Sequence, residues 1–120
     1  MDKDVIIIGG GIVGCAVADR LARFDISVTV LERDDDVASY ATRANSGIVH
    51  AGYDCEPGTF KARFNVRGNA LTWELAEELD VPHRKCGSIV AAPEEGMHGL
   101  QELLAKAKAN GVCAEILNRE

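Results

Sequence analysis

The chain begins with two short apolar runs that flank a helical pattern. Val5–Ile8 is apolar at every position, which favours a strand covered on both faces of a parallel sheet. Apolar residues recur at helical spacing over Ile12–Phe24, and Ile26–Leu31 contains alternating apolar positions. The order predicts a β-α-β unit over residues 4–32, whose crossover is right-handed in nearly all known sheets.

A loop and a long helix follow this unit. Tyr40–Gly52 is polar and small with little periodicity, which predicts a loop, and loops on rigid scaffolds often carry function. Pro57 and Thr59 suit the start of a helix, whose apolar stripe continues to Asp80. We interpret this stripe as core packing rather than as an aromatic cofactor site.

The last third of the chain has the pattern of a second β-α-β unit. Gly87–Ala92 and Val112–Leu117 are predicted strands. The helix between them is expected to begin near Pro93 and to end at Asn110–Gly111. Because this second unit has no glycine-rich turn, we expect a change of role near residue 82.

The turn between the first strand and its helix carries a glycine pattern. Gly9, Gly11 and Gly14 match GxGxxG, which is weak alone but here follows a strand and opens a helix. Gly9 would permit the tight turn, Gly11 a close approach of a pyrophosphate, and Gly14 tight packing of the helix on the sheet. The helix N-terminus, with the backbone of Ile12 and Val13, offers N–H groups and partial positive charge to an anion. The pattern predicts dinucleotide binding without separating FAD from NAD; the alternative is a glycine-rich turn in an unrelated α/β protein.

An acidic residue stands where such a site needs one. Glu32 ends the second strand and follows Gly14 by 18 positions, close to the expected separation of about 20 residues. Its carboxylate can accept hydrogen bonds from the adenosine ribose, and it would repel a 2′-phosphate, which disfavours NADP. Arg33 is adjacent and is kept as a candidate cofactor contact, although we expect its side chain to point elsewhere.

Composition limits the other functions. The chain has 120 residues, of which 47% are hydrophobic and 27% charged, and its net charge is -6. This is an ordinary globular balance. The acidic net charge argues against nucleic acid, whose binders carry a basic face. No apolar run is long enough to span a membrane. We interpret Asp34–Asp36 as a solvated turn and expect no metal site. The four scattered cysteines form no CxxC pair and predict reduced thiols in a cytoplasmic protein.

Three segments together resemble a known family. Residues 4–32 resemble the N-terminal flavin-binding segment of the D-amino-acid-oxidase-like FAD-dependent oxidoreductases. Thr42–Gly52 looks like the NSG…HAG loop of that superfamily, and Pro57–Arg63 is similar to its PGSLKA helix start. They resemble most the branch with FAD-dependent glycerol-3-phosphate dehydrogenases and L-2-hydroxyglutarate oxidases. Gly87–Ala92 resembles the strand where that family's chain enters its substrate domain.

The resemblance implies an α/β fold, with a Rossmann-like FAD-binding β-α-β unit and the start of a second, substrate-domain segment. Residues 1–82 would be the N-terminal part of the FAD-binding domain, and residues 83–120 the incomplete beginning of the substrate domain. The family's chains are several times longer. We therefore expect this chain to be an N-terminal fragment that is inactive alone.

The resemblance also implies roles for single residues. Gly9, Gly11 and Gly14 would contact the FAD pyrophosphate, and Glu32 the adenosine ribose. Polar loop residues would line the phosphate and ribityl side of the flavin; these are Thr42, Arg43, Asn45 and Ser46. His50 would lie near the isoalloxazine ring, as a base or a flavin attachment point. The alternative for His50 is a hydrogen-bonded structural histidine.

The function implied for the parent protein is oxidation of a C–OH bond by hydride transfer to FAD. Its substrate would be small and anionic, either glycerol 3-phosphate or a 2-hydroxy acid. The resemblance leaves open contact with a membrane surface or an electron carrier, and an oligomeric state. Three alternatives stay open: an amine or amino-acid oxidase of the same superfamily, an NAD-binding module, and a non-catalytic fragment.

Overall fold

A computed structural model describes residues 3–117 of the chain. Contacts divide the chain into two compact units, one up to Ile48 and one from Val49 onward. The domain boundary expected near residue 82 concerns the parent protein, and it stays a prediction.

The first unit is a parallel β-α-β unit. Strand β1 (Val5–Ile8) leads into helix α1 (Ile12–Leu21) and then strand β2 (Val28–Leu31). The two strands pair in parallel with Val5 opposite Val28. This confirms the β-α-β unit expected from the apolar pattern.

Two boundaries of this unit differ from the prediction. Helix α1 ends at Leu21 rather than at Phe24, where the chain makes a turn in which the Phe24 N–H donates to the Leu21 carbonyl. Strand β2 begins at Val28 rather than at Ile26. The preceding Ser27 is bound to the Asp4 carboxylate through its backbone N–H at 2.8 Å and its hydroxyl at 2.9 Å. Side-chain bonding of this kind competes with the sheet ladder at a strand end.

The sheet is covered on one face. Helix α1 contacts both strands, and Ile7 points its side chain toward the helix backbone at Gly14. The opposite positions of β1 are open, because Ile6 is 56% and Ile8 89% exposed. The expectation that β1 is covered on both faces is therefore wrong for the described residues, which place a helix on one side of the sheet.

Two α-helices form the regular structure of the second unit up to residue 117, together with a short 3-10 turn. Helix α2 (Phe60–Glu78) begins where the Thr59 hydroxyl accepts a hydrogen bond from the Ala62 N–H at 3.2 Å, an N-cap contact worth about 1 kcal/mol. A short 3-10 turn at Glu94–Gly96 leads into helix α3 (Met97–Ala109). Helix α3 ends at Asn110–Gly111 as predicted, with Gly111 at a φ of +74°.

The two strands predicted for the second unit do not form. Gly87–Ala92 and Val112–Leu117 are irregular, and within residues 3–117 the strand ladder comprises β1 and β2. A strand is stabilised by its partner, and none lies beside these segments in the described part of the chain. Ile89 is consequently 88% exposed. The prediction of a second β-α-β unit is wrong here, because a strand-like pattern does not supply a pairing partner.

The core of the second unit joins α3 to the segment before α2. Cys55, Ala62 and Ala107 are buried. The Asn110 side-chain amide donates to the Gly52 carbonyl at 2.9 Å and to the Cys55 carbonyl at 2.8 Å. Small side chains and one amide therefore hold the end of α3 against the turn that follows residue 51.

Candidate functional site

The glycine turn of the first unit has two positions that disfavour a side chain, Gly9 because of its backbone conformation and Gly14 because of lack of space. Gly9 has a φ of +101°, a left-handed conformation that glycine adopts at little cost. A Cβ at Gly14 would lie well inside 3.0 Å from the Gly9 carbonyl oxygen and 3.3 Å from Ile7 Cγ2. The first turn of α1 thus lies directly against the end of β1, as the glycine spacing predicts.

The N-terminus of α1 is bonded by a side chain from the following loop. The Ile12 N–H donates to Thr42 Oγ1 at 3.0 Å, although Gly11, at the N-cap position, supplies no side-chain cap. A Cβ at Gly11 would meet the same hydroxyl at 3.2 Å. The N–H groups of a first helical turn have no partners within the helix, so this end of α1, with Val13 in its first turn, suits an anion.

Glu32 is bound to the glycine turn. Its Oε2 accepts from the Gly10 N–H at 2.6 Å, and its Oε1 accepts from the Arg33 and Asp34 N–H groups at 2.7 and 3.1 Å. These bonds, that of Gly10 above all, lower the pKa of the Glu32 carboxyl below its ordinary value. Glu32 therefore carries its negative charge at neutral pH and ties the end of β2 to the turn after β1.

Arg33 is directed toward its neighbours in the loop. Its guanidinium lies 5.3 Å from the centre of the Tyr40 ring, and its Nε lies 3.4 Å from Asp34 Oδ1. The other carboxylate oxygen of Asp34 is buried without a hydrogen-bond partner among the described residues. Arg33 is thus engaged by Tyr40 and Asp34, and its role as a cofactor contact stays a prediction.

The loop after β2 is held by local hydrogen bonds. Asn45 donates through its side-chain amide to the Thr42 carbonyl and accepts from the Gly47 N–H at 2.7 Å. The Arg43 N–H donates to the Tyr40 carbonyl at 2.9 Å. The side chains of Arg43 and Ser46 are exposed. Asn45 therefore shapes the loop that carries Thr42, whereas Arg43 and Ser46 are accessible to a ligand.

His50 belongs to the second unit and is exposed. Its carbonyl accepts a hydrogen bond from the Asn69 side-chain amide at 3.2 Å. The apolar pattern of α2 assigns no role to Asn69. The available signal is its residue type, because asparagine inside a helix has low propensity and its side chain often bonds to backbone groups.

Two properties of the described residues bear on other classes of function. No helix among residues 3–117 is long and apolar enough to cross a membrane. In the same range, no three His, Cys, Asp or Glu side chains gather as metal ligands would. The acidic run includes a turn, in which Asp36 accepts from the Val37 N–H and the Ser39 hydroxyl.

These features define a dinucleotide-binding β-α-β unit of the Rossmann type. Its glycines leave room at the turn, the N-terminus of α1 suits a pyrophosphate, and the ionised Glu32 suits ribose hydroxyls. The residues present therefore fit the adenosine half of FAD. The family model described as FAD dependent oxidoreductase matches residues 4–120, and the chain belongs to that family. FAD, the predicted cofactor, is confirmed as the cofactor of the family.

Relatives with known activities match almost the whole chain. A glycerol 3-phosphate dehydrogenase of Caloramator mitchellensis is 43% identical over 110 residues, which are 91% of this chain and 23% of that protein. The human mitochondrial L-2-hydroxyglutarate dehydrogenase is 39% identical over 112 residues, 91% of this chain and 24% of that protein. The chain thus spans about a quarter of the length of the curated relatives it matches.

A solved structure agrees with the sequence relatives. Dithionite-reduced L-α-glycerophosphate oxidase of Mycoplasma pneumoniae, with FAD bound, superposes with a TM-score of 0.78 at 30% identity. The match covers 94% of this chain and 30% of that chain. The branch expected from the loop motifs is therefore confirmed by sequence and by fold.

Proposed function

We propose that this chain forms the part of a flavin-dependent oxidoreductase that binds the adenosine diphosphate half of FAD. The observation that carries the proposal is the contact of Glu32 with the Gly10 N–H, because it places an ionised carboxylate beside the N-terminus of α1. A helix N-terminus binds an anion, and a carboxylate beside it binds ribose hydroxyls, so the two together suit a pyrophosphate and its ribose.

Each residue of the first unit has a separate task in this proposal. The exposed N–H groups of the first turn of α1 receive the pyrophosphate. Glu32 keeps about one acceptor site beyond the three that the backbone N–H groups use, because an ionised carboxylate accepts about four hydrogen bonds, and that site receives a ribose hydroxyl. When a phosphate oxygen accepts from the Ile12 N–H in place of Thr42 Oγ1, the Thr42 hydroxyl donates to that phosphate instead.

The remaining loop residues act farther along the cofactor. Arg43 supplies a charge-assisted bond to the diphosphate, about twice as strong as a neutral one, and Ser46 binds the ribityl side. Asn45 keeps the loop in shape for both. His50 lies near the isoalloxazine ring, where its imidazole exchanges a proton with the substrate hydroxyl. When bound, FAD supplies the hydride-accepting chemistry, and the protein supplies position and charge.

The whole protein oxidises a C–OH bond of glycerol 3-phosphate or a 2-hydroxy acid in this proposal. The names of the relatives support this class of small anionic substrate over an amine. Residues 83–120 are the beginning of the substrate domain, and the electrons pass to a carrier, to a membrane quinone or to oxygen. The four free cysteines support a reducing compartment, for which we propose the cytoplasm.

The test is an absorbance spectrum of the chain after incubation with FAD and desalting, beside a titration with NAD. A retained flavin spectrum is the expected result. Preferential binding of NAD by the full-length protein would instead make this an NAD-binding module. Full-length protein that binds FAD but oxidises only amines would retain the cofactor assignment and overturn the substrate class.

A further inference from the structure

Asn69 connects two residues that lie outside its own helical turn. Its side-chain Nδ2 donates to the His50 carbonyl at 3.2 Å. Its Oδ1 accepts from Trp73 Nε1 at 3.0 Å. Because an indole N–H donates and never accepts, the oxygen of the amide must face Trp73. The NH2 group is thereby directed at His50.

Trp73 has further contacts besides its bond to Asn69. The His83 ring lies 5.6 Å from the Trp73 ring, and Lys85 Nζ lies 5.5 Å from it. Lys85 also pairs with Glu77 at 3.5 Å. The indole that orients the Asn69 amide therefore has contacts both on α2 and in the irregular segment that follows it, and these contacts restrict its rotation.

The segment that carries His50 lacks the support of regular structure. Residues 49–55 lie outside helices and strands, so a sheet ladder does not fix their backbone. The segment nevertheless lies directly on α2, because a Cβ at Gly52 would come 3.0 Å from Asn65 Cβ and 3.1 Å from Val66 Cγ2. Asn110 holds the carbonyls of Gly52 and Cys55. The Asn69 bond is the corresponding restraint at the His50 end.

We propose that Asn69, oriented by Trp73, is a positioning residue that fixes the backbone of His50 and so the direction of its imidazole. This inference rests on the proposed function for the role of His50 at the flavin. The bond from Asn69 is made to the main chain, so it sets where the histidine side chain starts without taking up either ring nitrogen. The imidazole remains available for proton exchange.

The chain offers a set of substitutions that separate the two bonds. Asn69→Asp keeps an acceptor for Trp73 and removes the donor to His50. Asn69→Ala removes both bonds, and Trp73→Phe removes only the bond that orients the amide. Asn65→Asp is the matched control, because it makes the same charge change one turn away, where Asn65 donates within the helix to the Lys61 carbonyl at 3.1 Å.

Nuclear magnetic resonance of the full chain reads both bonds without any cofactor. The single tryptophan gives one indole N–H signal, and three histidines give three imidazole signals, with that of His50 assigned by His50→Gln. In Asn69→Asp we expect the His50 signal to move and the indole signal to remain. Asn69→Ala should move both signals, and Asn65→Asp neither. An Asn69→Asp variant whose His50 signal matches the wild type overturns the inference.

A second measurement links the inference to the flavin. In FAD-loaded full-length protein, Asn69→Asp should alter the flavin absorbance band and lower kcat several-fold with KM nearly unchanged, as expected for loss of position. Trp73→Phe should cause a smaller change in the same direction, which tests the inference if Asn69→Asp fails to fold. A wild-type protein that retains no flavin refutes the proposed function. The magnetic resonance experiment then still decides whether Asn69 restrains the His50 backbone. An altered His50 signal with an unchanged flavin band and kcat refutes the positioning role alone.

Discussion

The contact between Gly14 and the turn at Gly9 leads to a prediction with a matched control. Alanine at position 14 would place its Cβ against the Gly9 carbonyl oxygen, well inside the 3.0 Å at which a neighbour must shift. The neighbour is backbone and cannot rotate away. Forcing a methyl group into such a packed site costs roughly 1–3 kcal/mol, whereas glycine to alanine in a helix contributes about 1 kcal/mol of stability.

The clash should outweigh the gain in helix propensity. Because the obstruction is a main-chain atom, the cost falls in the upper part of that range, and we expect a net destabilisation of about 1–2 kcal/mol. Gly68 in α2 is the control, since a Cβ there has nothing within 4 Å. Gly68→Ala should therefore stabilise α2 by about 0.5–1 kcal/mol.

Amide hydrogen exchange resolves the two helices and so measures both variants in the same way. Gly14→Ala should lower protection in α1 and leave α2 unchanged, and Gly68→Ala should raise protection in α2. Gly14→Ala should also weaken retention of FAD, because the shift of α1 moves its N-terminal N–H groups. Equal stabilisation by the two alanines would show that α1 does not lie against the Gly9 carbonyl, and would refute this account of the glycine turn.

Three further predictions concern polar side chains of the first unit. Glu32→Gln should weaken FAD binding by about 1.5–3 kcal/mol, the worth of a charged hydrogen bond, measured by titration. Glu102→Gln, at an exposed position of α3, is the control. Because hydrogen bonds lower the pKa values of Glu32 and Asp4 in the folded state, their stabilisation is complete above the unfolded pKa values of about 4. This stabilisation should be lost as the pH falls through the pKa values of the folded state. In an acid titration followed by circular dichroism, the stability of Glu32→Gln should therefore depend less on pH than that of the wild type. Thr42→Val removes the acceptor for the Ile12 N–H and should cost about 1 kcal/mol, seen as faster exchange at Ile12, whereas Thr42→Ser should behave as the wild type.

The features that the sequence predicts well are those whose causes are local. The apolar run of β1, the glycine turn and the alternation of β2 lie within the 27 residues from Val5 to Leu31, and each is stabilised by the next. The start of α2 and the end of α3 were also predictable, because Thr59 caps the N-terminus of α2 and Gly111 follows the last turn of α3. Helix caps depend on a few neighbouring residues.

The features that were not predictable depend on distant partners. Gly87–Ala92 has the composition of a strand, but it is irregular because the described residues hold no strand beside it. The bond from Ile12 to Thr42 joins residues 30 positions apart, and that from Asn69 to His50 joins residues 19 apart. Periodicity reports which face of an element is apolar and contains no information about which amide meets which carbonyl.

The two backbone groups nearest the expected pyrophosphate are already satisfied by side chains of this unit. Gly10 donates to Glu32, and Ile12 donates to Thr42. A phosphate that binds at Ile12 therefore exchanges one hydrogen bond for another, and a net neutral bond contributes only about 0.5–1.5 kcal/mol. The favourable part must come from charge, through the partial positive end of α1 and the charged bond of Arg43. Binding of the diphosphate should accordingly weaken with added salt, whereas the ribose contact of Glu32 should still favour FAD over a nucleotide with a 2′-phosphate.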